Sequence, residues 1–141
     1  MAESKNKQVA REFLESLEKD DVGRLRAVIS QDIVWHLAQS LKKALGFPEA
    51  IRGADAVVTW LNGLNTNMYK EIQKKRFIIH EMIEEGDKVA VVWKLSTMTP
   101  SGKPYTNDYI YLCRIANGKV AEMTTYNDTA HAYEEMLPRN E

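Results

Sequence analysis

The chain is 141 residues long and 44% hydrophobic, a length that favours one domain over 1–141 with a core of its own. Its 19 basic and 20 acidic residues leave a formal net charge of −1 and a pI near 6.3, so there is no electrostatic footprint for nucleic acid or an anionic lipid surface. The longest apolar run, Val89–Trp93, is far too short to cross a membrane. The charged opening MAESKNKQVAREF lacks the apolar stretch of a secretory leader. Cys113 is the sole cysteine, which excludes an internal disulfide. A soluble, cytoplasmic protein is the expectation.

Val9, Ala10, Phe13, Leu14 and Leu17 recur at helical spacing and predict an amphipathic helix over about 4–19. Asp20 or Asp21 can cap a short second helix carrying Val22, Leu25 and Ile29. Asp32–Leu37 reads as a strand. Residues 38–52, with Gly46 and Pro48, read as a long loop or a small helical excursion. A third helix begins near Ala54 or Asp55, with Val57, Leu61, Leu64 and Met68 on one face. Four strands follow, Arg76–Glu84, Lys88–Met98, Pro104–Ile115 and Lys119–Asn127, punctuated by turns at Gly86, Gly102 and Asn117-Gly118. Asp128 caps a last helix, Thr129–Leu137. Helices gathered before a curled antiparallel sheet make an α+β cone, with helices over the concave face.

The stretches Asp32-Ile-Val-Trp-His36 and Ile51-Arg-Gly-Ala-Asp-Ala-Val57 resemble the first half of SnoaL-like proteins of the NTF2-like superfamily. Thr99-Pro-Ser-Gly102, Asn107–Ile115, Asn117-Gly-Lys-Val120 and Thr125-Tyr-Asn-Asp128 resemble the second half, so the resemblance covers nearly the whole chain. It implies a sheet wrapped around a deep apolar pocket and a homodimer joined through the sheet's outer face. The superfamily holds ketosteroid isomerases, polyketide cyclases, limonene-epoxide hydrolases, dehydratases and non-catalytic binding domains, so fold alone carries no reaction.

Alternation lets only one of Trp35 and His36 face the pocket. The resemblance favours Trp35 and Leu37. Leu37 stands about where the isomerases carry their carboxylate base, and leucine cannot move a proton. The epoxide hydrolases' Asp–Arg–Asp set falls on Val92, Lys94 and Thr125, none of which retains its group. The Thr99-Pro-Ser-Gly102 register gives an inward set of Val92, Lys94 and Ser96, then Asn107, Tyr109 and Tyr111, then Met123, Thr125 and Asn127, capped by Leu64 and Met68. The ligand-binding candidates are therefore Trp35, Leu37, Leu64, Met68, Lys94, Asn107, Tyr109, Thr125 and Asn127.

An inward Lys94 needs a partner, with Glu49 one possibility, and could act as base or Schiff-base nucleophile, or else snorkel to solvent. His36 is the other catalytic candidate, reading otherwise as a packed or interface residue. Asp108 reads as an outward charge, Asp128 as a helix cap, and Lys74-Lys-Arg76 as a solvated strand edge. Cys113 reads as a buried small hydrophobe, and no histidine spacing suggests a metal. The expected partner is a small apolar ligand with carbonyl or carboxylate oxygens; no cofactor, nucleic acid or membrane is expected. Three functions stay open: a cofactor-independent isomerase, cyclase or dehydratase; a non-catalytic binding protein; and a dimerisation module with a vestigial pocket.

Overall fold

Ser4 opens the first helix, its Oγ accepting the backbone N–H of Lys7 at 3.2 Å, which satisfies a donor the helix itself leaves unpaired. Helix α1 (Lys5–Glu18) buries Ala10, Phe13, Leu14 and Leu17 along one stripe. The computed structural model describes residues 2–67, 75–99 and 102–136. After α1 come α2 (Val22–Val28), β1 (Ile29–His36), α3 (Gln39–Leu45), β2 (Ala50–Arg52), α4 (Ala54–Asn67), β3 (Arg76–Glu85), β4 (Lys88–Met98), β5 (Pro104–Ala116), β6 (Lys119–Asn127) and α5 (Thr129–Met136).

The strands form one mixed sheet in the order β2-β1-β6-β5-β4-β3. Every neighbouring pair is antiparallel except β1 and β6, which run parallel. The sheet curls around α1, which packs against β3, β4, β5 and β6, while α4 lies over β1 and β2. Phe13 is fully buried, with ring centroids 5.9 Å from Trp35 and 6.2 Å from Tyr111. Burying a phenyl ring so completely stabilises the fold by roughly 1.5–3 kcal/mol. The α+β cone is the architecture the sequence predicts. The excursion at 38–52 contains a helix, α3, and a short edge strand, β2.

The turn between α1 and α2 is a Schellman motif. Asp21 N–H donates to Ser16 O at 3.0 Å and Asp20 N–H to Leu17 O at 3.3 Å. Asp20 occupies the left-handed position of that motif, φ 53°, where glycine is the unstrained choice. Asp21 then caps α2, its Oδ1 accepting the Arg24 N–H at 3.1 Å.

The expected facing of β4 is overturned. Val91, Trp93, Leu95 and Thr97 are buried on the concave side, and Val92, Lys94 and Ser96 lie on the outer face. The physical reason is the hairpin loop. Thr99 N–H donates to Lys103 O at 2.7 Å, so Met98 pairs Pro104, Lys94 pairs Asp108 and Trp93 pairs Tyr109. Opposed residues share a face, so inward-facing Asn107, Tyr109 and Tyr111 demand odd-numbered partners on β4. Trp93 and Leu95 are accordingly core residues.

Candidate functional site

The concave face, α1, α2, α4 and the 38–52 excursion enclose a cavity of about 160 Å³. A cavity near 150 Å³ suffices for a benzene-sized ring. All three tryptophans of the chain, Trp35, Trp60 and Trp93, line it. Trp93 is sandwiched between Phe77, with centroids at 4.4 Å, and Tyr109, stacked at 4.5 Å, and meets Tyr111 edge-on at 4.9 Å. Phe47, from the segment after α3, meets Trp60 edge-on at 5.0 Å, so the 38–52 excursion supplies one wall of the cavity. Ring pairs in such tilted and offset geometries hold one another in place, which gives the cavity a defined shape.

The polar groups divide into satisfied and unsatisfied. Trp35 Nε1 donates to Thr125 Oγ1 at 2.7 Å. Four buried side-chain atoms have no hydrogen-bond partner among the described residues: Trp60 Nε1, Trp93 Nε1, Thr97 Oγ1 and Asn127 Oδ1. All four residues line the cavity. Together they are two N–H donors, one hydroxyl and one carbonyl acceptor held in residues of the cavity wall. Leaving such a group buried and unpaired costs about 1–3 kcal/mol, and all four belong to residues around one void.

At the rim stand Asp20, Asp21 and Lys75. The Lys75 side chain is only 12% exposed. Its Nζ lies 2.5 Å from Asp20 Oδ1 and 6.0 Å from the centre of the Phe77 ring. Lys75 is the sole cation among the described lining residues, and no carboxylate or histidine comes from the sheet strands that line the cavity.

Of the sequence-derived candidates, Trp35, Leu37, Tyr109, Thr125 and Asn127 line the cavity. Leu64 belongs to α4, with its side chain outside the described set, and Met68 lies outside the described residues. Lys94 is corrected: it is on the outer face, its Nζ 3.8 Å from Asp108 Oδ1, because the β4–β5 register fixes it there. Glu49 lies near Lys42 instead, at 3.9 Å. His36 is also outward, with Nε2 3.6 Å from Glu122 Oε1. Asn107 is buried but does not line the cavity. Its Nδ2 donates to Tyr105 Oη at 2.6 Å and Asp128 O at 3.0 Å, while its Oδ1 accepts from Asp128 N–H at 3.2 Å. This latch ties β5 to the start of α5, and Asp128 Oδ1 caps that helix through His131 N–H at 3.1 Å. Desolvation raises the Tyr105 phenol above its ordinary range, partly offset by the Asn107 hydrogen bond. Burial alone pushes the Cys113 thiol up to about 12, which leaves it inert as a nucleophile near neutrality.

Trp60, Phe77, Trp93 and Thr97 belong to the site without having been singled out for it. The pairing rule applied at the β4–β5 hairpin would have placed Trp93 and Thr97 there. Asp20 and Lys75 stand at a helix–helix turn and just ahead of a strand, where periodicity carries no facing information.

Among the described residues, no group of three or more histidine, cysteine, aspartate or glutamate side chains is placed to hold a metal ion. No described helix is long and apolar enough to cross a membrane.

Comparisons with known proteins agree with this architecture. The curated proteins contain no match to the chain. Among solved structures, an NTF2-like protein of unknown function from Burkholderia pseudomallei K96243 superposes with a TM-score of 0.84 at 22% identity, covering 96% of this chain and 100% of that one. TerC, co-crystallised with polyporic acid, gives 0.83 at 20% identity, covering 94% and 98%. A protein described as a candidate SnoaL-like polyketide cyclase from Jannaschia sp. CCS1 gives 0.79 at 15% identity, covering 99% of each chain. The superpositions show a shared fold. The model of the SnoaL-like domain matches residues 10–123, from the middle of α1 to the inner face of β6, and the chain thus belongs to the SnoaL-like domain family.

Proposed function

We propose that the cavity binds a small, flat, largely apolar molecule bearing carbonyl and hydroxyl oxygens, and that the protein acts on it as a cofactor-independent enzyme of the cyclase or isomerase type. The observation that supports this reading is that Trp60, Trp93, Thr97 and Asn127, each with a buried polar atom unpartnered among the described residues, all line one aromatic-walled void. Two indole N–H groups call for acceptor oxygens. The Asn127 carbonyl calls for a hydroxyl. The stacked rings around Trp93 call for a flat framework. Two proteins of the same fold, TerC co-crystallised with polyporic acid and a candidate SnoaL-like polyketide cyclase, support a ligand of that chemistry.

The lack of carboxylates and histidines among the strand residues lining the cavity favours a second reading, a protein that binds the same ligand without turning it over. Under either reading the outer sheet face joins two copies. Ile78, Ile83, Ile110 and Tyr126 are 38–56% exposed on that face, and a second copy would cover the apolar surface they present.

Calorimetric titration with 2-hydroxy-1,4-naphthoquinone beside naphthalene tests the ligand class. The oxygenated molecule should bind at least about tenfold more tightly, since it meets groups the hydrocarbon leaves unpaired. Equal affinity, or no binding of either, would contradict the proposal.

A further inference from the structure

We propose that Asp20 is the proton-transfer group of this cavity, with Lys75 as the residue that positions it; the inference rests on the ligand reading above and goes on to name a catalytic residue. The strands and helices that wall the cavity are apolar, aromatic or neutral-polar, and its charged groups gather at one place on the rim. Asp20 and Asp21 are the carboxylates among the described lining residues. Asp21 is committed to the backbone of α2, its Oδ1 accepting the Arg24 N–H. Asp20 is paired through its side chain with the Lys75 ammonium.

The positioning is local and specific. The Schellman turn fixes the Asp20 backbone through its own N–H and that of Asp21, in a left-handed conformation, φ 53°, that aspartate tolerates less well than glycine. The side chain is half-exposed, at 47%, while that of Lys75 is 12% exposed. A nearly buried ammonium needs a counter-charge, and Asp20 supplies it at 2.5 Å. The carboxylate is therefore fixed at the cavity rim by both its backbone and its partner.

The chemistry this allows is enolisation. The Asp20 carboxylate takes a proton from carbon α to a ligand carbonyl. The C–H electron pair moves into the new C=C bond and the carbonyl π pair onto oxygen, giving an enolate. Trp60 and Trp93, whose N–H groups are unpartnered among the described residues, line the same cavity, and a small turn of either ring would bring a donor to that oxygen. Protonated Asp20 returns the proton to the same carbon or to a conjugated one, and the carboxylate is regenerated. No oxidant, reductant or metal enters the balance.

The test uses 2-tetralone, a flat bicyclic ketone with exchangeable α-protons, and the whole chain. Tryptophan fluorescence reports its binding, because every tryptophan lines the cavity. Proton NMR in D₂O reports α-H/D exchange. The wild type should quench on binding and accelerate exchange over buffer. Asp20→Asn, which keeps a residue tolerant of the left-handed conformation, should bind 2-tetralone within twofold of wild type while exchange falls about 100-fold or more. Lys75→Met should lower exchange, and Lys75→Arg should restore it.

Quenching without accelerated exchange in the wild type would overturn the role of Asp20 and leave the ligand reading standing. Absence of quenching would overturn both. Undiminished exchange in Asp20→Asn, or loss in Lys75→Arg together with borohydride trapping of a lysine adduct in the wild type, would overturn Asp20 as the base. Should Asp20→Asn fail to fold, the Lys75→Met and Lys75→Arg pair decides: full exchange in Lys75→Met overturns the proposal.

Discussion

Trp35 Nε1 donates to Thr125 Oγ1 at 2.7 Å across the parallel seam between β1 and β6. Both residues are buried, and both line the cavity. This indole is thus satisfied from within, in contrast to those of Trp60 and Trp93. Thr125→Val keeps the shape and removes the acceptor, leaving a buried N–H unpaired. Unfolding by urea should show a loss of about 1–3 kcal/mol. No change in midpoint would mean that the bond contributes nothing beyond packing.

Thr97 presents the opposite case. The residue is 6% exposed and lines the void, and its hydroxyl has no partner among the described residues. Thr97→Val removes a desolvated group and keeps the volume. The variant should gain up to about 1 kcal/mol of stability and lose affinity for 2-hydroxy-1,4-naphthoquinone. A gain in one quantity with a loss in the other is the mark of a polar atom held for a ligand. Stability lost with affinity unchanged would point to a purely structural hydroxyl.

Lys94 is predicted to matter little. Its side chain is 40% exposed and faces Asp108, 77% exposed, at 3.8 Å, and an exposed pair of this kind is worth about 0–1 kcal/mol. Lys94→Met should therefore shift the urea midpoint by no more than such a pair accounts for and leave binding of the naphthoquinone unchanged. A collapse of binding would return Lys94 to the cavity and contradict the strand register.

The case of Lys94 also shows where the sequence is legible. The order of helices and strands follows from periodicity and turn residues, and Asn117-Gly118 forms the tight hairpin it predicts, with φ 53° and 73°. The inner faces of β1, β5 and the end of β6 are readable because large residues alternate with polar ones. In β4 both faces are well populated, Val92 on one and Val91 on the other, so only the loop length decides which side is buried. That length is one residue away from the opposite answer. The Asp20–Lys75 pair is invisible in one dimension: 55 residues separate its members, and neither lies in a periodic element.

The outer sheet face is predicted to be a dimer interface. Ile110 is 42% exposed and pairs with Tyr126, 56% exposed, on the next strand. Ile110→Lys places a charge in the middle of that surface. Sedimentation of the wild type at micromolar concentration should give a dimer, and the variant a folded monomer with its cavity intact. A monomeric wild type would remove the interface.

The indole N–H resonances test the central claim, that the cavity's unpaired polar atoms await a ligand. The chain has three tryptophans, so a nitrogen–proton correlation spectrum carries three indole peaks, assignable by single Trp→Phe variants. On saturation with 2-hydroxy-1,4-naphthoquinone, the Trp60 and Trp93 peaks should move downfield as their N–H groups gain acceptors, and Trp35, already bonded to Thr125, should move least. A saturated sample in which Trp60 and Trp93 keep their shifts, or in which Trp35 alone responds, would contradict the account.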